Sequence, residues 1–527
     1  MTGVTDATGR QLTLTWDAAN GRITGVTDPA SRTWNLAYDA AGNLSTVTDP
    51  ATVSGGTRRV TTYAYDSGNR VTQITDRRGK AWTFGYDGSG RLSWEKTPLL
   101  HQTGYVYTAT GCTVTDPRGN AVVHTYNSAG ELVSVKDEAN YTESYGYNSL
   151  HLRTGVTDKR GKAWGYSYDS RGNVLTATNP LTQQTSWTYN TKDLPLTQTT
   201  PLGYATTLTY DANGNQLTQS NPLGKVTTYT VGTYGLVSQV TDATGKYVGY
   251  SYDAHGNATT VSTPVGTTTS TYSTLGWVTS TTDATSRVTT TAYDNLGRAT
   301  SVTDAGSRTT AFTYDAEDNR LTQTDAAGKV NTYVYDDSGR ATSHTDPLSR
   351  VVSFGYDGVG NKTTFTDGRG KVTTYAYTAR NQMSGITYAD ATTDAWTYNA
   401  NGDLATKTDG RGVTTAYSYD DAGRKTGIDY PTGTADVSFT YDNDGRKTGM
   451  TDGTGTTTYA YDNAGRLTGR TAPQGTVNYA YDDAGRVSSR TLVGTGVTTY
   501  AYDAAGRVSS VTDSGDTISY TYDNAGR

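Results

Sequence analysis

A short phrase recurs along this chain at a nearly fixed period. The phrase is a tyrosine followed by aspartate, or a near variant of that pair. It recurs every 21 residues over two stretches, first at Tyr147, Tyr168, Tyr189 and Tyr210 and then from Tyr293 to Tyr419. Near the end it recurs every 20 or 21 residues, at Tyr441, Tyr461, Tyr481, Tyr502 and Tyr522. Self-similarity at such a period is typical of repeat proteins, in which each unit packs on its neighbours. We therefore predict one continuous array over residues 1–527, with about 25 units.

Degenerate copies of the phrase fill the gaps between the regular ones. They occur at Trp16 with Asp17, at Tyr107, at Val231 where a tyrosine is due, and at Tyr272. A repeat array tolerates such copies because its stability is approximately a sum over units and their interfaces.

The composition indicates a thin but ordered β-structure. Only 34% of the residues are hydrophobic, which is low for a chain with a thick core, yet 42 tyrosines accompany many Thr and Val residues. Disordered chains are poor in these strand-forming types. The net charge of −6 offers no basic surface for nucleic acid, and no apolar run is long enough to cross a membrane. The first residues lack the pattern of a signal peptide.

Each unit reads as two short strands and two tight turns. In one unit the segments Val60–Tyr65 and Val71–Thr75 are rich in strand-forming residues, and the turn sequences DSGN and DRRGK follow them. An Asp that opens a turn accepts backbone hydrogen bonds, and a later Gly or Asn adopts positive φ at little cost. Strands of about seven residues would then form antiparallel hairpins. Alternation places Tyr63 and Tyr65 on one face, where we expect the tyrosines to pack across strands.

The number of strands limits the architecture. About 50 strands spaced about 4.8 Å apart form a ribbon roughly 240 Å long, and twisted sheets seldom exceed about ten strands without curling. We therefore predict an all-β fold in which the ribbon coils into a spiral around a hollow interior. A parallel β-solenoid with about 20 residues per rung is the alternative, but two turns in each unit favour hairpins.

The phrase YDxxGR, followed by a second strand, resembles the YD repeat of the RHS family, which includes bacterial RHS polymorphic toxins, Tc toxin shell components, wall-associated proteins and animal teneurins. The regular array and the lack of cysteine-rich modules favour the bacterial toxin branch. Full matches to the signature are found at Tyr86, Asp87, Gly90 and Arg91; Tyr293, Asp294, Gly297 and Arg298; Tyr335, Asp336, Gly339 and Arg340; Tyr419, Asp420, Gly423 and Arg424; Tyr461, Asp462, Gly465 and Arg466; Tyr481, Asp482, Gly485 and Arg486; and Tyr502, Asp503, Gly506 and Arg507.

The resemblance implies a hollow cage that holds a variable C-terminal toxin domain of the same polypeptide, and a secreted or cell-surface location. Toxin members typically end the cage with a DPxGL-like segment for self-cleavage, which is not visible here. Residues 116–120, DPRGN, lie in an ordinary second turn of their unit. We therefore expect the chain to be an interior segment of a longer shell.

Catalytic, cofactor and metal sites are not predicted. The acidic residues recur at turn positions, and the five histidines lie in separate units without ligand-like spacing. YDNDGR, from Tyr441, lacks most ligands of a calcium loop. Cys112 stands in a degenerate unit with no histidine near it in sequence. The signature arginines are expected to pair with an Asp on a neighbouring strand at an exposed rim, and the insertion ATVSGGTRR, residues 51–59, is interpreted as a neutral bulge.

Two functions from different classes follow. In the first, the chain is a structural, non-catalytic segment of a toxin-enclosing cage. In the second, it is a surface-exposed repeat module that binds carbohydrate or cell wall through rows of accessible tyrosines. Tyrosines engaged in strand packing, or facing an internal space, would favour the first.

Overall fold

The computed structural model describes residues 2–6, 9–52, 57–431 and 433–523. In this part of the chain, regular structure consists of 50 β-strands and one short 3-10 turn, Thr233–Gly235. The first 25 strands are β1 Gly3–Thr5, β2 Gln11–Asp17, β3 Arg22–Thr27, β4 Thr33–Tyr38, β5 Leu44–Thr48, β6 Val60–Tyr65, β7 Val71–Thr75, β8 Ala81–Tyr86, β9 Leu92–Lys96, β10 Gln102–Tyr107, β11 Gly111–Thr115, β12 Ala121–Tyr126, β13 Leu132–Lys136, β14 Thr142–Tyr147, β15 Arg153–Thr157, β16 Ala163–Tyr168, β17 Val174–Thr178, β18 Gln184–Tyr189, β19 Pro195–Thr199, β20 Ala205–Tyr210, β21 Gln216–Ser220, β22 Val226–Val231, β23 Val237–Thr241, β24 Tyr247–Tyr252 and β25 Ala258–Thr263. The other strands are β26 Gly266–Tyr272, β27 Val278–Thr282, β28 Val288–Tyr293, β29 Ala299–Thr303, β30 Thr309–Tyr314, β31 Arg320–Thr324, β32 Val330–Tyr335, β33 Ala341–Thr345, β34 Val351–Tyr356, β35 Lys362–Thr366, β36 Val372–Tyr377, β37 Met383–Thr387, β38 Thr393–Tyr398, β39 Leu404–Thr408, β40 Thr414–Tyr419, β41 Lys425–Asp429, β42 Val437–Tyr441, β43 Lys447–Asp452, β44 Gly455–Tyr461, β45 Leu467–Ala472, β46 Gly475–Tyr481, β47 Val487–Leu492, β48 Gly496–Tyr502, β49 Val508–Asp513 and β50 Asp516–Ser519.

The strands form a single 50-stranded antiparallel sheet. Each strand pairs with the strand before it and the strand after it, as β7 does with β6 and β8. The prediction of an all-β ribbon of hairpins is therefore confirmed. The alternative of a parallel β-solenoid is wrong, because a solenoid pairs strands of successive rungs in parallel.

Two kinds of turn alternate along the ribbon. β6 and β7 have the predicted bounds, but the regular strands are six and five residues long, shorter than the predicted seven, because each turn takes up five residues. The first turn follows the six-residue strand and carries the signature aspartate, as in residues 66–70. The second turn follows the five-residue strand, as in residues 76–80. In both, the N–H of the opening Asp donates to the carbonyl oxygen four residues later.

The period of 20 residues near the end has a local cause. After β43 the second turn shortens, because Asp452 pairs directly with Gly455 and only two residues connect the strands. β45 and β46 repeat this arrangement with Ala472 opposite Gly475. Gly455 and Gly475 have φ of 119° and 138°, a region that favours glycine. The strands on both sides lengthen to six and seven residues, so the pairing continues to the turn.

The two faces of the ribbon differ as the alternation predicts. In β6, Thr61, Tyr63 and Tyr65 are half-buried, whereas Val60 and Ala64 on the opposite face are exposed. The same pattern recurs in β36 and β44. The aromatic side chains thus share one face.

A β-bulge marks nearly every hairpin that contains a first turn. In β8 and β9, Gly85 pairs with Trp94 and Tyr86 pairs with Leu92, so one residue of β9 is left without a partner in the register. Hairpins built on second turns, such as β7 and β8, show no such shift. Bulges increase the local right-handed twist of a sheet and bend it. Repeated once per unit, they give the ribbon a constant tendency to coil.

Contacts between distant residues define the coil. Arg78, in the turn between β7 and β8, donates to the carbonyl oxygen of Asp336, in the turn between β32 and β33, over a separation of 258 residues. Arg160, between β15 and β16, reaches Asp420, between β40 and β41, over 260 residues. Each contact spans 25 strands, so the ribbon completes one circuit in 25 strands. We call β1–β25 the first coil and β26–β50 the second coil.

The circuit encloses a space that side chains cannot fill. A wall of 25 strands spaced about 4.8 Å apart has a perimeter of about 120 Å and a diameter of about 40 Å, whereas facing sheets pack only about 10 Å apart. In agreement, Ala472 and Val477, at 7% and 8% exposure, are the only buried residues among the described hydrophobic ones. The spiral is therefore a hollow wall one sheet thick, as predicted.

Candidate functional site

The signature of the first turn places its Asp, Gly and Arg in one hydrogen-bonded group. In the unit at Tyr86, the backbone N–H groups of Ser89 and Arg91 donate to Asp87 Oδ1 at 2.9 Å, and the N–H of Gly90 donates to the Asp87 carbonyl at 2.9 Å. Gly90 has φ of 81°, which closes the turn and returns the chain into β9. The predicted role of aspartate as an acceptor for its own turn is thus visible in the geometry.

The signature arginines are placed differently from the expectation. Arg298 Nε donates to Asp294 Oδ2 at 2.8 Å, so this ion pair lies within one turn, and Arg298 Nη1 also pairs with Asp318 Oδ1 of the next unit at 2.8 Å. The expected exposed rim position is wrong for this pair, because the side chains of Arg298 and Asp294 are only 13% and 5% exposed, whereas Arg91 is 49% exposed. The reason is that the five-residue turn brings its first and last residues side by side. The same pair recurs at Arg340, Arg424, Arg466, Arg486 and Arg507, with distances of 2.6–2.7 Å from Nε to the carboxylate oxygen.

Each of these arginines also reaches the next unit. Arg340 Nη1 donates to the carbonyl oxygen of Asp357 at 3.0 Å, and its guanidinium carbon lies 4.8 Å from the ring centre of Tyr356. A guanidinium over an aromatic face is attracted by the ring quadrupole. The signature arginine therefore joins its own aspartate to the tyrosine and the aspartate of the following unit.

The signature tyrosines complete the connection in the opposite direction. Tyr86 donates its hydroxyl hydrogen to the carbonyl oxygen of Val71, fifteen residues earlier, at 2.7 Å. The equivalent bonds, of 2.6–3.0 Å, join Tyr293 to Val278, Tyr335 to Arg320, Tyr419 to Leu404, Tyr461 to Lys447, Tyr481 to Leu467 and Tyr502 to Val487. The tyrosines thus take part in packing between units, and their rings and hydroxyls are engaged by the ribbon itself.

The pKa values of the signature tyrosines and aspartates reflect these contacts. Burial raises the pKa of Tyr335, Tyr419 and Tyr481. The backbone N–H of Arg91 is the main cause that lowers the pKa of Asp87. Burial alone would raise the pKa of Asp336, but hydrogen bonds from the backbone and side chain of Arg340 outweigh it and lower the pKa. Both residue types are held in the protonation state that their contacts require.

A second group of arginines joins the two coils. We use the name seam for the contact between second turns of the first coil and first turns of the second coil. Arg78 donates to the carbonyl oxygens of Asp336 and Asp337 at 3.3 and 3.0 Å. Arg160 contacts those of Asp420 and Asp421 at 3.0 and 3.2 Å. Arginine suits this role because its fork of donors can engage two acceptors at once.

The seam buries polar groups more than the rest of the wall does. Three of the buried aspartates, Asp28, Asp76 and Asp137, are in second turns of the first coil and are 5–8% exposed. Lys159 Nζ donates to Asp137 at 2.7 Å, and Arg380 of the second coil lies 3.6 Å from the same carboxylate. Buried charges of this kind are tolerated when they are paired and hydrogen-bonded.

The insertion at residues 51–59 also contributes to the seam. Residues 53–56 lie outside the described residues, but Arg59 donates to the carbonyl oxygen of Ala316 at 2.8 Å. The backbone N–H of Asn295 donates to the carbonyl oxygen of Thr52 at 2.9 Å. The described part of the insertion thus contacts the second coil, which is a structural role that the interpretation as a neutral bulge missed.

The carboxylates considered for metal binding take part in contacts within the wall. Within the described part of the chain, no group of three or more His, Cys, Asp or Glu residues could hold a metal ion. In the segment that resembles a calcium loop, Asp442 pairs with Arg446, and Asp444 accepts from Thr200 and from the Leu202 backbone across the seam. These carboxylates are therefore used by the wall.

The expectation that Cys112 has no histidine near it requires a correction. The sequence places no histidine near it, but the antiparallel register sets His124 of β12 directly opposite Cys112 of β11. Residues twelve apart meet because the connecting turn is short. Within the described residues, no hydrogen bond to another group orients His124. The pair therefore lacks the third group that aligns the base in a nucleophilic site.

Comparisons with known proteins agree with this architecture. The sequence matches the RHS repeat over residues 19–54, 65–98, 126–163, 147–185, 168–205, 233–268, 272–306, 293–330 and 335–369, which together cover more than half of the chain. The chain belongs to the RHS-repeat family. Residues 413–512 match the teneurin YD-shell. No curated protein matches this RHS-repeat chain in sequence.

Solved structures share its fold. The Photorhabdus luminescens Tc holotoxin pore with a mutated TccC3 matches at 15% identity and a TM-score of 0.59, covering 98% of this chain and 34% of that chain. The TcdB2–TccC3 complex without its hypervariable C-terminal region matches at 14% identity and a TM-score of 0.50, covering 98% and 35%. This chain thus spans about a third of the length of those chains.

No helix in the described ranges is long and apolar enough to span a membrane.

Proposed function

We propose that this chain is a structural, non-catalytic segment of the wall of an RHS/YD-repeat cage, and that the complete polypeptide encloses a C-terminal toxin domain in that cage. The seam carries this proposal. A ribbon could coil loosely, but regular contacts between turns 25 strands apart hold the two coils edge to edge as a continuous wall. A continuous wall around a wide space is what enclosure requires.

Several features support a role without catalysis. The signature carboxylates are bonded to their own turns, and the signature arginines contact the next unit. Similarity to Tc toxin shell structures supports the same role by fold. We propose a secreted or cell-surface location by family resemblance. The toxin domain is the proposed partner, and neither a cofactor nor nucleic acid is required.

The alternative, a module that binds carbohydrate or cell wall, has less support. Such binding uses aromatic faces open to solvent. Here the ring of Tyr481 is covered by Arg466, whose guanidinium carbon lies 4.5 Å from the ring centre, and its hydroxyl donates to Leu467. Retention of the isolated chain on purified cell wall would favour this alternative.

The test uses the full polypeptide encoded by the gene, with whatever follows Arg527. In limited proteolysis we expect the segment after the repeats to be protected, and we expect Arg78→Ala with Arg160→Ala to expose it by weakening the seam. Arg470→Ala with Arg490→Ala is the matched control, because these arginines lie within β45 and β47 and away from the turns. Cleavage of the downstream segment at the rate of the isolated segment would refute the cage.

A further inference from the structure

The strand cations of the second coil share one face of the ribbon. Each lysine or arginine within these strands pairs directly with an aromatic residue of the strand before it, as Lys425 does with Tyr419 and Arg470 with Tyr459. Residues directly opposite each other in a sheet point to the same side. We use the name aromatic face for this side, which carries the signature tyrosines. Its seven cations are Arg320, Lys362, Lys407, Lys425, Lys447, Arg470 and Arg490.

Acidic residues are scarce on this part of the aromatic face. Between β31 and β47, the strands place only Asp394 and Asp452 there. Both are engaged, because Tyr388 donates its hydroxyl hydrogen to Asp394 and the backbone N–H of Thr454 donates to Asp452. The first coil differs, since its strands from β6 to β25 place one arginine and two glutamates on this face. These residues are Arg153, Glu95 and Glu143.

None of the seven cations forms an ion pair with a carboxylate of the described residues. The first-turn arginines between β40 and β47 all do, as Arg424 does with Asp420. Four of the seven cations lie over aromatic rings instead, as Lys447 Nζ does 5.2 Å from the ring centre of Tyr459. The other three have no hydrogen bond, ion pair or ring contact within the described part of the chain. They are Lys407, Arg470 and Arg490.

The wall itself does not require a cation at these three positions. Lys407, Arg470 and Arg490 each take the fourth position of their strand, opposite an aromatic ring. Ile428 and Met450 take the same position in β41 and β43. An apolar side chain gains from packing there, whereas a half-buried charge without a partner costs desolvation free energy. A binding partner that supplies carboxylates would offset this cost.

Five of the seven cations form a compact band. We use the name cationic band for Lys407, Lys425, Lys447, Arg470 and Arg490, which lie in β39, β41, β43, β45 and β47. At about 4.8 Å per strand, neighbouring cations are about 10 Å apart and the band is about 38 Å long. Lys425 and Lys447 begin their strands, whereas the other three lie three residues further along, so the band is about 10 Å wide.

A neighbouring coil leaves the band uncovered. Coils meet through their turns, as the seam shows, whereas the band lies on the side of the strands between the turns. Arg490 is exposed, and Lys407 and Arg470 are half-buried among the side chains of their own sheet. The band is therefore open to a molecule that approaches the aromatic face.

We propose that the cationic band binds an acidic polypeptide segment in an extended form. An extended segment of about 12 residues spans about 40 Å, which is the length of the band. Its carboxylates would accept charge-assisted hydrogen bonds from cations that have no other anion. The inference concerns one face of the wall and does not depend on an enclosed toxin.

Nucleic acid matches the band less well than an acidic polypeptide. Phosphates follow one another about every 3.4 Å along a strand of duplex DNA, far more closely than the cations of the band. The chain as a whole has a net charge of −6, which opposes the binding of a long polyanion. The rings beneath Lys425 and Lys447 are covered by their ammonium groups, so bases could not stack on them.

The test is the binding of a fluorescein-labelled glutamate peptide of about 12 residues to the purified chain, followed by fluorescence anisotropy up to about 1 mM chain. We expect saturable binding that weakens as salt rises. The triple variant Lys407→Gln, Arg470→Gln and Arg490→Gln should weaken it about tenfold or more, because three ion pairs are lost. Glutamine suits this strand position, which in other units is held by Gln198, Gln219 and Gln323.

The matched control removes the same charge from second turns of the same coil. It combines Arg287→Asn, Arg308→Asn and Arg350→Asn. Asparagine is compatible with that turn position, since Asn120 holds it in the turn that begins at Asp116. We expect this variant to bind the peptide with the affinity of the parent chain. Circular dichroism of both triple variants checks that the β-structure is retained.

Three outcomes would overturn the proposal. The first is a chain that does not bind the glutamate peptide over the whole concentration range. The second is equal affinity in the parent chain and the triple glutamine variant, which would place the binding elsewhere. The third is a single-stranded DNA of about 12 nucleotides that binds as tightly as the peptide and competes with it, which would assign the band to phosphate polyanions.

Discussion

Arg298 and Tyr314 lie in successive units, and the Arg298 guanidinium lies over the Tyr314 ring, with its carbon 4.8 Å from the ring centre. Arg298 also binds Asp294 of its own turn and the carbonyl oxygen of Asp315 beside Tyr314. Tyr314 in turn donates to Ala299, the residue after Arg298. Four contacts therefore converge on a junction between two units. The repeat signature is conserved within this chain as a connector, which explains why its four residue types recur together.

Removal of the tyrosine hydroxyl should weaken this junction locally. Tyr314→Phe keeps the ring but leaves the carbonyl oxygen of Ala299 without its donor, so we expect a loss of about 1 kcal/mol in local stability. Native-state hydrogen exchange of β29 and β30 would measure it. Tyr234→Phe is the control, since Tyr234 is 79% exposed in an irregular turn. Equal effects at both positions would contradict the role of the hydroxyl.

Glycine should be required to different degrees at two turn positions. Gly297 and Gly328 have φ of 86° and 76°, so alanine at either position costs about 1 kcal/mol in backbone strain. A Cβ at Gly297 would lie 2.6 Å from Trp277 Cζ2, whereas a Cβ at Gly328 would meet nothing within 4 Å. We expect Gly297→Ala to destabilise the fold by about 1 kcal/mol more than Gly328→Ala, because Trp277 must shift. Urea unfolding of the two variants compares them directly.

Loss of the seam arginines should separate the coils without unfolding the hairpins. In Arg78→Ala with Arg160→Ala, we expect faster hydrogen exchange in the turns at Asp336 and Asp420 and an increased radius of gyration in solution scattering. The circular dichroism should remain that of a β-protein, because hairpin pairing involves only neighbouring strands. The double variant at Arg470 and Arg490 should keep the radius of the parent chain. A seam variant with an unchanged radius and unchanged exchange would show that the coils are held by other contacts.

Acid should destabilise the wall through its turn aspartates. A hydrogen bond from Asn173 lowers the pKa of Asp169 to about 2, and the pKa values of Asp87 and Asp336 are also lowered. A carboxyl group whose pKa is lower in the folded chain stabilises the fold fully above its unfolded pKa, near 3.8, and this stabilisation is lost as the pH falls toward the folded value.

Urea unfolding should therefore give a constant stability above about pH 5 and a steep fall below about pH 4. Asp169→Asn should reduce the part of that fall that lies between about pH 4 and pH 2. A stability that rises on acidification would contradict the sign of these pKa shifts.

Much of the local structure could be predicted from the sequence. The bounds of β6 and β7, the face shared by Tyr63 and Tyr65, and the turn role of aspartate all follow from rules that act over a few residues. The pairing of Arg298 with its own Asp294 was missed, although the spacing of four residues across a five-residue turn was a usable signal. Because the same unit recurs along the chain, these local rules also predict the long ribbon of hairpins.

The seam could not be predicted in the same way. Which turns meet depends on the number of strands per circuit, and that number is the sum of many small twists and bulges. An error of one strand in 25 would move Arg78 away from Asp336. The arginine at the third position of residues 116–120, DPRGN, was visible in the sequence, but nothing nearby in the chain indicated its partner 260 residues away.

Arg78 and Arg160 bind main-chain oxygens across the seam, and this choice has an evolutionary consequence. A contact that depended on a particular partner side chain would be lost whenever a hairpin was duplicated or deleted, since every later turn would move by one place around the circuit. Arg78 and Arg160 instead recognise the carbonyl groups that each five-residue first turn presents. A lineage of such chains could therefore gain or lose repeats, and so change the circumference or the height of the spiral, while each new neighbour still offered a suitable acceptor.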